Sequence, residues 1–569
     1  MSRGRIALAL MAVLAAVGTA TLTAAADNPS IEVPGVEIAG AADVGQAVTA
    51  PNLPESQVPP DQLQAVDLSP ASVDAVTRAS EEAAAENGPA PMDAAQVAIP
   101  SRHGVAEAPV TNLTFTGLNR NTAQNNGFIF TPPDTISAKS PNRVLEGTNS
   151  ALRLFTNTGG TLSTLNLNSF FSAATTSGLL FDPKVLYDRL SSTPRFWVVA
   201  LSNTGVGDSS STNNSSTIHI AISRSPDPTS LASSNWCRYT ISGRYLSGAD
   251  DSWADYPQVG VSNHDFMLGL NEFRFTNKSF TFALFRAMPK QPVENNASAC
   301  QTLTSWRFQP SGSSGNFDIF AIQPVYAATA PSSFSGTSNP GYAINTHRGS
   351  FSTYHVWRVR NVTTASSGTL SQVTLSNHSY SIPPAGKQPG TSTTIDSGDD
   401  RVLDADGIGN VFVSILTSGC NFTSGTPNEA CTLSPRVSVG QNGAGGLTAT
   451  ILENPFVGYG DNIYVHHESI ALNKAGKMGA TWEFNGNVSS THFFLSSASE
   501  VRTPGGAWTG VNTYASGTCS YLLGRAGDYA GGQVDPVDLN SFWLSGERAT
   551  AVSGLSGCNW ETKISHVTP

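Results

Sequence analysis

The chain has 569 residues, 39% of them hydrophobic and only 13% charged, with a formal net charge of −11. That length can bury a sizeable core, and the lack of a basic excess excludes the electrostatic footprint of a nucleic-acid binder. The acidity is local: residues 1–26 carry only Arg3 and Arg5, residues 27–110 hold thirteen Asp or Glu against Arg78 and Arg102, and the rest is nearly neutral. A nearly neutral body offers no long-range steering of charged partners, so short-range contacts must decide recognition.

Arg3 and Arg5, the apolar run Ile6 to Val17 and the small residues Ala24-Ala25-Ala26 before Asp27 read as an export signal over residues 1–26. The run is shorter than the roughly 20 residues of a membrane span, and no later stretch of that length lacks polar residues. The expectation is a secreted product, extracellular or periplasmic, without a membrane span. Residues 27–110 are rich in Ala, Pro and acids and nearly free of aromatics, apart from a possible short helix at Ser72 to Glu86. They are expected to form a largely disordered linker or pro-segment, because they cannot bury enough apolar area to offset the entropy of ordering.

From residue 111 to 569 short β-branched and aromatic runs alternate with Ser, Thr, Gly and Asn turns. Strands are predicted at Arg195–Ser202, Thr217–Ser223, Asp265–Asn271, Ser279–Phe285, Tyr354–Arg360, Asn410–Leu416 and Trp482–Phe484. Such a body is all-β and too long for one sandwich, which favours a β-propeller. With Asp134, Asp182, Asp255, Asp318, Asp400, Glu468 and Asp528 as anchors, the intervals run from 48 to 82 residues, the size of a four-stranded blade with variable loops. Six or seven blades result. A strand near Leu113 to Thr116 should pair with the last blade, since an open ring would expose two edges.

The six cysteines form an even set, as expected of disulfides in an oxidising compartment. Cys420 and Cys431 are close enough to close a local hairpin, and Cys519 with Cys558 would tie the final blade. Cys237 and Cys300 remain as the third pair.

The segment Arg525-Ala-Gly-Asp528-Tyr529, then Asp535-Pro536-Val537-Asp538 and Ser541-Phe542-Trp543-Leu544, resembles the closing blade of secreted bacterial β-propeller proteins of the sialidase-like superfamily. Pro132-Pro133-Asp134-Thr135, Asp182-Pro183-Lys184-Val185, Asp255-Tyr256-Pro257-Gln258 and His467-Glu468-Ser469-Ile470 carry the same likeness upstream. It spans about Asn126 to Ile564. Ala526 stands where that family usually has tryptophan, and Thr135-Ile136 replaces the commoner Thr-Asn-Gly. The resemblance implies a propeller that binds extracellular glycans or proteins, with a sialidase-like glycoside hydrolase as the alternative. A sialidase needs clustered arginines, a Tyr–Glu nucleophile pair and an Asp acid. Those residue types are present, but the Phe-Arg-Ile-Pro signature and intact Asp-boxes are not.

Acids repeated once per blade could converge on a central channel. Asp134, Asp182, Asp255, Tyr256, Asp400, Arg401, Glu468, Arg525 and Asp528 are therefore the candidate channel and ligand-binding residues. The competing reading is that each acid caps a local turn. No cofactor is evident. Ca²⁺ is possible at Asp404-Ala405-Asp406-Gly407, although a turn with solvated carboxylates is the alternative. His466-His467-Glu468 has the ligand types of a metal site, but on a regular strand His467 would face away from its neighbours. Asp396-Ser397-Gly398 is a single copy of a triplet whose acid chemistry needs two carboxylates, and reads as a turn.

Overall fold

The computed structural model describes residues 37–39 and 107–569, apart from 126–129, 174–177, 208–210, 248–249, 311–317, 329–339, 350–351, 377, 423–427 and 489–490. The expected signal segment and most of the acidic leader lie outside these residues. Within 27–106 only Glu37–Ala39 is placed, as a short strand antiparallel to Thr369–Ser371.

The strands form seven sheets, antiparallel except where Tyr326–Ala328 lies parallel to Asp406–Ile408, and in most of them the strands follow one another outward in chain sequence. Blade 1 has its inner strand at Ile136–Lys139, blade 2 at Phe181–Asp188, blade 3 at Asp250–Val261 and blade 4 at Gln323–Pro324. Blade 5 follows with Val402–Ile408, blade 6 with Ile463–Leu472 and blade 7 with Gly531–Val534. Each inner strand touches the inner strands of the two neighbouring blades, and Ile136–Lys139 meets Gly531–Val534, so the ring is closed. This is a seven-bladed β-propeller. All the strands predicted from pattern are present, with Tyr354–Arg360 matching at both ends.

Closure comes from chain ends far apart in sequence. Val110–Asn119 is the outermost strand of blade 7, pairing antiparallel with Cys558–Thr568 from Val110 opposite Thr568 to Asn119 opposite Glu561. Both raw edges of the ring are thereby removed. Middle strands such as Arg195–Thr204 and Asp265–Arg274 are buried on both faces, which is why they read as near-continuous apolar runs. Apolar layers fill the wedges between consecutive blades. Trp197 of blade 2 stacks on Phe266 of blade 3 at 4.2 Å. Blades 3 and 4 approach so closely that a Cβ on Gly269 would lie 1.8 Å from the Ile322 carbonyl oxygen, so only glycine fits there.

All three cysteine pairings expected from the sequence are formed: Cys237–Cys300, Cys420–Cys431 and Cys519–Cys558, with Cα separations of 5.2, 5.8 and 5.9 Å. Cys420–Cys431 staples one hairpin of blade 5. Cys237–Cys300 ties the outer strand of blade 2 to the loop joining Phe280–Pro289 and Trp306–Phe308 within blade 3, a link between blades. Peptide mapping without reduction should recover these three bridges. Full reduction should lower the thermal midpoint, with the two longer loops, of 63 and 39 residues, each worth about 4 kcal/mol by chain entropy. Recovery of six alkylatable thiols from the oxidised protein would contradict the assignment.

Candidate functional site

The inner strands all run the same way, entering the channel at one mouth. Five blades turn into it through a residue with positive φ: Asp134 (54°), Asp182 (48°), Tyr256 (50°), Ala321 (50°) and His467 (52°). In blades 2, 3 and 6 the turn coincides with a register shift, between Phe181 and Lys184, Asp255 and Gln258, and His466 and Ser469. A left-handed residue at a bulge breaks the simple alternation of a strand and re-aims the side chains beside it. For tyrosine and histidine the conformation costs energy, which marks these positions as functional candidates.

Four of the predicted acids meet at this mouth. The Asp528 amide donates to Asp134 Oδ1 at 2.8 Å, linking blade 7 to blade 1. Asn149 donates to Asp134 Oδ2 at 3.1 Å and accepts the Asp182 amide at 2.6 Å, linking blade 1 to blade 2. The Asp182 and Asp255 carboxyls share a hydrogen bond. Burial, with the Asp255 and Asp528 charges, pushes Asp182 well above the usual carboxylate range. Burial also raises Asp255, to about 6, against opposing hydrogen bonds from Tyr256 and Asp182. Asp134 rises for the same reasons, burial first and then the Asp528 and Asp182 charges. Asp134 is sealed, whereas Asp182, Asp255 and Asp528 keep part of their surface open to the mouth.

Tyr256 and Arg401 enter the same space: the Arg401 guanidinium lies 4.2 Å from the Tyr256 ring centre. Arg401 is also forked onto Asp399 by bonds of 2.5 and 2.7 Å, and Arg348 reaches that carboxylate at 2.5 Å. Burial alone would raise Asp399; the two guanidiniums overcome it and hold the group below its ordinary value. Arg525, exposed at the rim, donates to Asp528 at 2.6 Å.

Asp400 does not join the cluster. Its carboxylate accepts the Gly349 amide at 3.1–3.2 Å, so it fixes a turn. Glu468 points outward from the axis and accepts the Thr417 hydroxyl at 2.8 Å. The acidic pair considered for Ca²⁺ is not in a solvated turn: Asp404 and Asp406 lie within the inner strand of blade 5. There Asp404 accepts Ser469 and the Ile470 amide, and Asp406 accepts the Leu472 amide, so both tie blade 5 to blade 6. Their oxygens are committed to backbone donors and to Arg189, 3.7 Å from Asp406. Asp396 accepts the Gly398 amide at 3.0 Å, the turn that its triplet suggested.

Three participants were not singled out from the sequence: Lys184, Asp399 and Tyr529. Lys184 lies below the acids, its ammonium 2.9 Å from the centre of the Tyr529 ring. Burial pushes this amine down to about 7, opposed by Asp404, Asp134, Asp182 and Asp528. A sequence signal existed. Asp182-Pro183-Lys184-Val185, Tyr256-Pro257-Gln258-Val259 and Ala321-Ile322-Gln323-Pro324 align on their positive-φ residues, and the aligned Lys184, Gln258 and Gln323 all line the channel cavity. That cavity is about 60 Å³, room for a few waters, with Arg189, Asp404 and Asp406 further down.

No family model matches the sequence, and no curated protein matches it. Among solved structures, the α-L-arabinofuranosidase Arb93A from Fusarium graminearum aligns over 82% of this chain and 98% of its own, at 9% identity and a TM-score of 0.35. The α-L-arabinanase of Penicillium chrysogenum aligns over 81% of this chain and 98% of its own, at 9% identity and a TM-score of 0.34. The phage phi92 endosialidase covers 68% of this chain and 66% of its own, at 8% identity and a TM-score of 0.26. These superpositions are loose. Among the described residues no helix is long and apolar enough to cross a membrane.

Proposed function

We propose that this is an exported propeller whose channel mouth binds neutral extracellular glycans. The observation that carries the reading is the convergence of Asp182, Asp255 and Asp528, each only partly exposed, from three blades beside Arg401 and Tyr256. Carboxylates accept hydrogen bonds from sugar hydroxyls, and the partly exposed Arg401 guanidinium, held over the buried Tyr256 ring, can donate to them. Arg401 and Arg348 both bind Asp399, and Arg525 binds Asp528, so the guanidiniums at the mouth are already paired with carboxylates of this chain instead of forming a clamp for a sialic-acid carboxylate, which disfavours the sialidase-like alternative.

The hydrogen-bonded Asp182–Asp255 pair, with Asp182 raised well above the usual carboxylate range by burial and its acidic neighbours, favours a second reading, hydrolysis of a neutral glycoside. In that reading Asp182 supplies the proton to the leaving oxygen, and Asp528 is the facing carboxylate that activates water or stabilises the oxocarbenium ion. A glycan array and a panel of chromogenic glycosides test both. Neutral oligosaccharides retained in preference to sialylated ones support the binding reading, and turnover of a neutral glycoside supports hydrolysis. Retention of sialylated glycans alone, or of none, overturns the proposal.

A further inference from the structure

We propose that His466, His467 and Glu483, packed behind the channel mouth, bind a divalent transition-metal ion such as Zn²⁺. This rests on the geometry of blade 6 alone and stands or falls separately from the glycan reading.

The strand Ile463–Leu472 pairs regularly with Met478–Val488 as far as His466 opposite Glu483, and resumes at Ser469 opposite Thr481. His467 and Glu468 thus face the single residue Trp482, and His467 has a φ of 52°. On a regular strand His467 would point away from His466; the bulge brings its ring back. The two Nδ1 atoms lie 2.9 Å apart, and Glu483 Oε2 is 3.2 Å from His467 Nδ1. All three side chains are buried.

The lone pairs can be assigned. Asn485 donates to the Lys387 carbonyl at 2.8 Å, so its oxygen faces His466 Nε2 at 2.8 Å and must accept from it. His466 Nε2 therefore carries the hydrogen, and its Nδ1 is a bare acceptor. Glu483 Oε2 is also an acceptor. Both compete for one hydrogen on His467 Nδ1, while His467 Nε2, 1% exposed, has no partner. One proton shared by two acceptors leaves one of them short, which is costly in a dry interior.

A cation satisfies all three donors together. Separations of 2.9 and 3.2 Å are close to the roughly 3.3 Å edge of a tetrahedron with bonds of about 2.0–2.1 Å. The Asn485–His466 contact is the kind of outer hydrogen bond that orients a metal-bound imidazole. Gly527 keeps space open: a Cβ there would stand 3.8 Å from both His467 Nδ1 and Glu547 Oε1. The fourth position would fall to water, since Glu547 Oε1 is already held by the Thr135 hydroxyl at 2.9 Å. Two imidazoles and carboxylate oxygen suit zinc or its neighbours better than Ca²⁺, which takes oxygen ligands.

The test uses the purified protein, stripped with a chelator, dialysed against Zn²⁺ or Co²⁺ and then against metal-free buffer. About one ion per chain should be retained, Co²⁺ should give the visible absorption of a four-coordinate site, and Zn²⁺ should raise the thermal midpoint. Glu483→Gln and His466→Asn should each abolish retention. Asn485→Ala, which leaves the ligands in place, should weaken binding about 10- to 100-fold. Loss of either ligand variant to misfolding leaves the wild-type measurement intact. Folded wild-type protein that retains neither ion, or folded ligand variants that retain it as well as wild type, overturns the proposal.

Discussion

Deleting residues 1–119 should abolish cooperative folding, whereas deleting residues 1–106 should leave the thermal midpoint within a few degrees of the full chain. The longer deletion removes Val110–Asn119, the strand that closes blade 7. That strand also binds blade 1: the Leu118 amide donates to Glu146 at 2.9 Å, and Arg153 donates to the Gly117 carbonyl at 2.9 Å. Phe115 packs on Phe155 with ring centres 5.1 Å apart, and Leu118 is fully buried. About eight backbone and side-chain hydrogen bonds at roughly 1 kcal/mol each, with two or three buried apolar side chains at about 2 kcal/mol each, approach the whole stability of an ordinary domain. A point change tests the same seam. A Cβ on Gly117 would lie 2.3 Å from Glu146 Oε1 and 2.4 Å from the Thr562 hydroxyl, so Gly117→Val should unfold the protein or lower its midpoint steeply. A soluble, cooperatively melting 120–569 fragment would refute the closure argument. A large loss on removing only 1–106 would show that the leader, including its strand at Glu37–Ala39, stabilises the body.

Asp182→Asn and Asp255→Asn should each weaken binding of whichever neutral glycan is retained, by about 10- to 100-fold, the loss of one or two hydrogen bonds in a buried site. The pH dependence carries a sign. Asp255 is protonated below about 6 and ionised above it, and the ionised form is the stronger acceptor. Affinity should therefore rise between pH 5 and pH 7 in the wild type and lose that rise in Asp255→Asn. If the glycan is hydrolysed, Asp182→Asn should lower kcat by about 10²- to 10⁴-fold by removing the proton donor. Isothermal titration at several pH values, with melting curves to verify folding, checks both variants. Unchanged affinity in both would move the site away from the mouth.

The seven acidic anchors counted in the sequence fall one to a blade, each beside the place where its inner strand enters the channel. That periodicity was legible because turn chemistry repeats with each blade. The role of each acid was not. Asp134 and Asp400 look alike in sequence, yet one joins the mouth cluster and the other accepts the Gly349 amide. The difference is set by loops from neighbouring blades, which a single sequence does not align. His467 shows another limit. Strand alternation argued against pairing it with His466, and a one-residue bulge reversed that geometry. Lys184 was hidden among strand residues because burial and the surrounding acids, rather than its local context, make it unusual.

The direction of the strands in blade 7 fixes where the folded body can be held. The inner strand Gly531–Val534 runs away from the mouth, Phe542–Ala551 returns, Cys558–Thr568 descends again and Val110–Asn119 climbs back. Val110 and Thr568 therefore emerge side by side on the face opposite the mouth. A surface, bead or fusion partner attached through either would present the acidic opening outward, so immobilising the protein by its ends should leave ligand capture unimpaired.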